Sequence, residues 1–114
     1  MNIQELQSKL ADAPETIEFA EVMALIDGLY EFHPVAFTNG EQRNDAGQNN
    51  GSCKLFAFAR LQGFDEQETL ACFGAFYRDD VLGNPDGDDH QNIRNFMKTG
   101  WMGIEFQGDA LTAK

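Results

Sequence analysis

The sequence predicts a mainly α-helical protein: a single compact domain over residues 1–114, with four or five helices, a long ordered loop and a short two-stranded β piece. A chain of 114 residues suits one domain. Apolar residues recur at spacings of three and four along much of it, as in amphipathic helices. Ten phenylalanines and one tryptophan can fill a core without disulfide or metal support.

Two helices are predicted in the first third of the chain. Asn2 is expected to cap the first, and Pro14 suits the first turn of the second. The second helix should end at His33, because the residue before Pro34 avoids the α region. The apolar residues expected to face the core are Ile3, Leu6, Leu10, Phe19, Val22, Met23, Ile26, Leu29 and Tyr30.

A long connection, residues 31–51, follows these helices. Residues 35–38 could form a short extended piece before a turn at Asn39 and Gly40. So long a link inside one domain is uncommon and is usually functional or disordered. Since amide side chains anchor turns, we expect this loop to be hydrogen-bonded to the body of the protein. Its amides are Asn39, Gln42, Asn44, Gln48, Asn49 and Asn50.

Three further helices are predicted. Residues 53–61 are apolar enough for the centre of the fold, with Ser52 as the cap and Gly63 as the stop. The fourth helix begins at a capping-box-like pair, Asp65 and Glu68. Its inner stripe is expected to be Leu70, Phe73, Phe76, Tyr77 and Val81.

The fifth helix should begin after Asp88 or Asp89 and end at Gly100. Its core positions would be occupied by Ile93, Phe96, Met97 and Trp101. Residues 104–106 are expected to form a strand that pairs with residues 35–38.

The charge excludes several classes of partner. Nineteen acids against eight bases give a net charge of −11, which repels phosphate backbones and anionic lipid surfaces. No nucleic-acid partner and no membrane partner are therefore expected, and no apolar stretch approaches the length of a membrane span. A protein or a small molecule is the expected partner.

The acidic turn at residues 84–89 does not fit an EF-hand calcium site. Aligning Gly87 with the invariant glycine of an EF-hand places Leu82 and Ile93 at the first and last ligand positions, and neither offers a side-chain oxygen. No metal and no cofactor are expected. The two cysteines lie in apolar helical patterns, and the N-terminus shows no secretory signal, so a cytoplasmic location is predicted.

Cys53 offers one catalytic hypothesis. At a helix N-terminus its thiolate would be stabilised by the helix dipole. A nucleophilic thiol also needs a base, for which His90 is the candidate, with Asn95 among the residues that could orient the imidazole. This alternative is a small thiol-dependent hydrolase or transferase. The other interpretation of Cys53 is an inert core cysteine.

The favoured hypothesis is a non-enzymatic binding or interaction module. The polar run at residues 90–95 is expected to fasten the amide-rich loop, with Arg94 holding a buried carboxylate or carbonyl. Loop and helix would then share one polar and aromatic surface. The candidate binding residues are His33, Phe37, Asn39, Asn49, Ser52, Tyr77, His90, Asn92, Arg94 and Trp101.

Four long, ungapped segments carry a family resemblance and cover more than half of the chain. They are YEFHPVAFTNG (30–40), AGQNNGSCKLFAFARL (46–61), TLACFGAFYRDDVLGNPDGDDHQNIRNFMKTGW (69–101) and GIEF (103–106). They resemble the HopJ type III effector family, also called HopPmaJ. The resemblance implies export by type III secretion into a host cell as the alternative to a cytoplasmic role. It implies no catalytic residue and no reaction.

Overall fold

Helix α3, Asn50–Gln62, lies at the centre of the fold, as its apolar sequence predicts. The computed structural model describes all residues, 1–114, and confirms the mainly α architecture. The other helices are α1 (Ile3–Asp12), α2 (Phe19–Leu29), α4 (Glu66–Ala71), a π-helical segment (Phe76–Val81) and α5 (Gln91–Thr99). Short 3-10 turns cover Pro14–Thr16 and Gly100–Gly103. None of the helices has the length and apolarity needed to cross a bilayer.

The core is organised around the Phe56 ring, which is fully buried in α3. Its centroid lies 4.9 Å from that of Phe96, 5.4 Å from Phe73, 6.2 Å from Phe37 and 6.4 Å from Trp101. Three of these four contacts are edge-on and one is tilted, which are favourable aromatic arrangements. One ring of α3 thus joins the loop, α5 and the segment after α4.

The strands form two small antiparallel sheets. They are β1 (Tyr30–Phe32), β2 (Phe37–Asn39), β3 (Gln42–Asn44), β4 (Ile104–Phe106) and β5 (Leu111–Ala113). Strand β2 pairs with β4, with Phe37 opposite Phe106, which confirms the predicted pairing. Strand β3 adds to the other edge of β2, and β1 pairs separately with β5.

The prediction of a single two-stranded piece therefore understated the β content. The sequence pattern extended the second helix to His33, but α2 ends at Leu29 and Tyr30 is already extended. Pairing with β5 supplies hydrogen bonds that the helix would otherwise give, and His33 N–H continues them by donating to Ala110 O at 2.7 Å. The β2–β3 turn uses Gly40, with a φ of +61°, and the following residue.

Several helix boundaries are confirmed. Asn2 caps α1 by accepting the Glu5 N–H at 2.8 Å, and Asp65 and Glu68 form a reciprocal capping box. Gly63 and Gly100 end α3 and α5.

Other boundaries were predicted wrongly. Pro14 begins a separate 3-10 turn, and α2 starts only at Phe19. Ser52 is the third residue of α3, whose cap is Asn49. The cap of α5 is His90, not Asp88 or Asp89.

The predicted fourth helix is interrupted at Gly74, which has a φ of +64°. The chain turns there, so Phe76 leaves the core and is 41% exposed.

Replacing Gly74 with alanine is expected to lower the free energy of unfolding by about 2 kcal/mol, because a Cβ is disfavoured at positive φ. The added Cβ would also lie 2.8 Å from Phe19 N and 3.0 Å from Ile17 O, both of which are backbone atoms. Gly28→Ala in α2 is the matched control: its Cβ meets nothing within 4 Å, and it should stabilise the protein by about 0.5–1 kcal/mol. Urea unfolding measures both; equal effects would contradict the role given to Gly74.

Candidate functional site

A recess of about 460 Å³ lies between the first turn of α3 and the first turn of α5. We call it the α3–α5 recess. Its polar wall comes from the amide-rich loop and the two helix starts, and its apolar wall comes from aromatic rings. The lining residues are Phe19, Gln42, Asn49, Gly51, Ser52, Phe73, Phe76, His90, Gln91, Asn92 and Ile93. The loop and α5 therefore share an open cavity.

Buried asparagines hold the loop against α5. Asn44 is fully buried, and its Oδ1 accepts hydrogen bonds from Asn49 Nδ2 at 2.7 Å and from Asn92 Nδ2 at 3.0 Å. Its Nδ2 donates to Asn92 Oδ1 at 3.1 Å. Asn39 adds a bond from its Nδ2 to Asn92 O at 2.6 Å. The predicted fastening of the loop by carboxamides is thus present, and these four side chains form what we call the asparagine network.

One acceptor of the asparagine network has no partner. Asn39 is fully buried, and its Oδ1 makes no hydrogen bond. An unpaired buried acceptor costs about 1–3 kcal/mol. The hydrogen bonds of the other atoms in the asparagine network therefore hold Asn39 in place, although its Oδ1 remains unpaired.

Both helices begin at the recess with a left-handed residue. Asn49 has a φ of 52° and His90 a φ of 49°, and they are the only non-glycine residues with positive φ. The first backbone N–H to bond to the Asn49 carbonyl is that of Cys53, and the first to bond to the His90 carbonyl is that of Arg94. Neither cap side chain accepts a hydrogen bond from its helix. The N–H groups of the first three residues of each helix are consequently left without acceptors, as at most helix starts.

His90 is fixed at the edge of the recess. Its Nε2 lies 3.0 Å from Asp80 Oδ2, and its ring centroid lies 5.3 Å from that of Phe76. No carboxylate is among the residues that line the recess, although the chain carries a net charge of −11. The polar wall therefore offers mainly hydrogen-bond donors and amides.

Cys53 does not line this recess. It is 1% exposed, and its Sγ–H points to Val35 O at 4.0 Å. Burial raises the pKa of the Cys53 thiol, an effect only partly opposed by the bond to Val35. Asn95 donates to Gln91 O at 2.8 Å and does not orient His90. The arrangement favours the interpretation of Cys53 as a structural cysteine.

Both thiols are expected to react with iodoacetamide at pH 8 at least about 100-fold more slowly in the native protein than in urea, because burial disfavours the thiolate. Burial likewise raises the pKa of Cys72 to about 12, from an ordinary value of 9.0. Cys72 loses its proton at a lower pH in the unfolded chain than in the folded protein, so its contribution to stability is present below pH 9 and declines as the pH rises towards 12. Rapid labelling of native Cys53 would restore the thiol-enzyme hypothesis.

Arg94 fastens a different segment from the one predicted. It is buried, and its Nε and Nη2 donate to Asp89 O and Oδ1, each at 2.6 Å. Its Nη1 donates to Pro85 O at 3.2 Å. The hydrogen bond from Arg94 lowers the pKa of the Asp89 carboxyl. The guanidinium thus binds carbonyls, one of the two predicted kinds of partner, but they belong to the turn before α5, and the carboxylate it binds is exposed rather than buried.

The remaining predicted binding residues lie elsewhere. His33 Nε2 is 2.9 Å from Thr112 Oγ1 beside the β1–β5 sheet, and Phe37 is in the core. Tyr77 is buried, and Trp101 Nε1 donates to Phe64 O at 2.9 Å. Of the ten candidates, Asn49, Ser52, His90 and Asn92 line the recess.

Sequence reasoning missed the aromatic wall of the recess. The apolar periodicity places Phe19 and Phe73 in the core, but their stacked rings, 6.0 Å apart, also line the cavity. The sequence did indicate that Gln42 and Gln91 could line a site, because Gln42 belongs to the amide-rich loop and Gln91 to the polar run at residues 90–95. No such indication was present for Gly51.

The fold and the site together define the class of protein: a small, mainly α domain with a polar recess between two helix starts. A family model, HopJ type III effector protein, matches residues 3–111, and the chain belongs to this family. The chain is also similar to the crystal structure of VPA0580, a protein of unknown function. The two are 59% identical with a TM-score of 0.96, over 100% of this chain and 95% of the other. The comparison with curated proteins gave no match.

Proposed function

We propose that this protein is a non-enzymatic binding module that holds a small polar molecule in the α3–α5 recess. The observation that carries the proposal is the shared cavity of about 460 Å³ between the amide-rich loop and α5. That volume lies within the usual range for small-molecule sites. The asparagine network supports the proposal because it holds both walls in a fixed relative position.

The lining favours a ligand that presents hydrogen-bond acceptors and an apolar part. The unpaired N–H groups of the two helix starts, together with the Ser52 hydroxyl, would donate hydrogen bonds to ligand acceptors such as carboxylate or phosphate oxygens. The exposed part of Phe76 and the neighbouring Phe19 ring supply apolar contact. No acid lines the cavity itself, and the carboxylates nearest to it, those of Asp80 and Asp89, lie against His90 at its edge.

The proposal is tested by NMR titration of the isotope-labelled protein with four named probes: acetate, inorganic phosphate, citrate and AMP. At least one is expected to shift the backbone amide resonances of Gly51, Ser52, Gln91 and Asn92 in a saturable manner. The lining variant is Gln42→Trp, in which an indole on β3 would fill the recess and abolish the shifts.

Arg43→Trp is the matched control. Arg43 is the next residue of the same strand, is exposed and does not line the recess, so its side chain belongs to the opposite face. Retained binding in this variant together with loss in Gln42→Trp supports the proposal. Absence of shifts with all four probes, or equal binding by both variants, contradicts it.

We also propose that the protein acts in the cytoplasm of the cell that makes it, with export as the alternative offered by the family name. Its two cysteines are free and buried, which suits a reducing compartment. A fusion of the full chain to a translocation reporter, expressed in a strain with an active type III apparatus, tests this. Retention supports the cytoplasmic role, and transfer into the host cell contradicts it.

A further inference from the structure

A second surface lies on the other side of α5 and is centred on Met97. Two shallow recesses of about 420 and about 510 Å³ flank this residue, and Met97 and Lys98 line both. Three apolar side chains on it are strongly exposed: Leu82 at 50%, Met97 at 45% and Met102 at 99%. We call this region the Met97 surface. An apolar cluster of this kind on a soluble chain indicates an interaction site.

The recesses beside Met97 have a buried apolar floor. Buried Val81 borders the first, and buried Leu70 and Phe96 with half-buried Trp101 border the second. Methionine is unbranched and flexible, so a methionine-centred groove can adapt to the apolar face of a helix. An amphipathic helix places such a face in a groove through residues spaced three and four apart.

The charges around the Met97 surface determine which kind of helix fits. Glu66, Asp79, Asp86 and Asp88 belong to the segments that bound it, and none forms a salt bridge. Lys98 is the one lining cation without an acidic partner, because Arg94 is neutralised by Asp89. The unpaired charge of these segments is therefore predominantly negative.

A second copy of the chain is a poor occupant, since two molecules of net charge −11 repel one another. The geometry points to a basic amphipathic helix of a partner protein as the occupant of the Met97 surface. Its apolar face covers Leu82, Met97 and Met102, and its Lys or Arg residues lie over the surrounding acids. The lining of this surface shares only Gln91 with the α3–α5 recess, and none of the residues substituted in its test lines that recess, so the two proposals are tested independently.

The test uses a fluorescein-labelled peptide of about 18 residues, five helical turns, with leucines on one face and lysines on the other. Anisotropy is measured at about 0.15 M salt, where screening weakens diffuse attraction. Met97→Glu is expected to weaken peptide binding about tenfold or more, because it removes a central apolar contact. Leu82→Glu is a second, independent variant at an exposed position.

The charge change makes the result decisive. Each variant adds a negative charge, so diffuse attraction alone would tighten binding of a basic peptide, whereas docking in the groove predicts weaker binding. Leu61→Glu is the matched control, because Leu61 is 58% exposed and lies outside the Met97 surface. The affinity of the Leu61→Glu variant for the basic peptide should be unchanged or slightly higher than that of the natural sequence.

Three results would overturn the proposal. One is equal affinity of Met97→Glu and Leu61→Glu. Another is equal binding of a peptide with the same composition in scrambled order, which has no apolar face. The third is a concentration-dependent dimer in sedimentation that Met97→Glu dissolves, which would assign the surface to self-association.

Discussion

Replacing Phe56 with alanine is expected to lower the free energy of unfolding by about 4 kcal/mol, as found for buried phenylalanines. Its ring is fully buried, and it contacts the rings of Phe37, Phe73, Phe96 and Trp101. Truncation leaves a cavity among residues from the loop, α5 and the segment after α4, none of which can close it alone. Urea unfolding followed by tryptophan fluorescence and circular dichroism measures the loss.

Phe76→Ala serves as the control for Phe56. Its ring is partly exposed and lies at the recess rather than in the centre of the core. We expect it to cost about 1 kcal/mol, because much of its area is already in water. If the two substitutions had equal effects, Phe56 would not be the centre of the core.

Asn44→Ala is expected to cost about 3 kcal/mol, because it strands several buried polar groups at once. Asn49 Nδ2 and Asn92 Nδ2 lose their acceptor, and Asn92 Oδ1 loses one of its two donors. The loop then loses its main attachment to α5. The measurement is urea unfolding together with amide hydrogen exchange of residues 39–50, which should accelerate more than that of α3.

Asn95→Ala is the control, because Asn95 is an asparagine of α5, the helix to which Asn44 is bonded through Asn92. Asn95 is half-buried and bonds only within α5, to Gln91 O and Oε1, so its loss should cost less than about 1 kcal/mol. Comparable losses in the two variants, or unchanged exchange of the loop in Asn44→Ala, would show that the asparagine network does not hold the loop.

Much of the fold could be predicted because local signals agree with the tertiary structure. The capping box at Asp65 and Glu68, the stops at Gly63 and Gly100 and the apolar sequence of α3 all follow from rules within one helical turn. The pairing of residues 35–38 with the strand near the C-terminus could also be anticipated.

The wrong boundaries share a physical cause. The end of α2 is set by pairing with β5, which lies at the far end of the chain. The caps of α3 and α5 adopt left-handed conformations that depend on packing around the recess, and residues that favour the cap position as well or better, Ser52 and Asp89, stand nearby in the sequence. Asparagine and histidine adopt that conformation more often than most other residues, which gave a weak signal at both Asn49 and His90.

The candidate site was predicted in outline only. Amide content indicated that the loop would be hydrogen-bonded, but the partner of Arg94 could not be read from the sequence because its geometry depends on the turn at residues 85–89. Cys53 shows the opposite problem: its place in the sequence suits an activated thiol, whereas its burial against Val35 does not.

The most direct test of the account is whether the amide-rich loop is fixed against α5. Backbone ¹⁵N relaxation of the full chain measures this on the fast timescale. We predict order parameters of about 0.85 for residues 39–50, equal to those of α5. Values below about 0.6 over that stretch would contradict the asparagine network and, with it, the α3–α5 recess as a formed site.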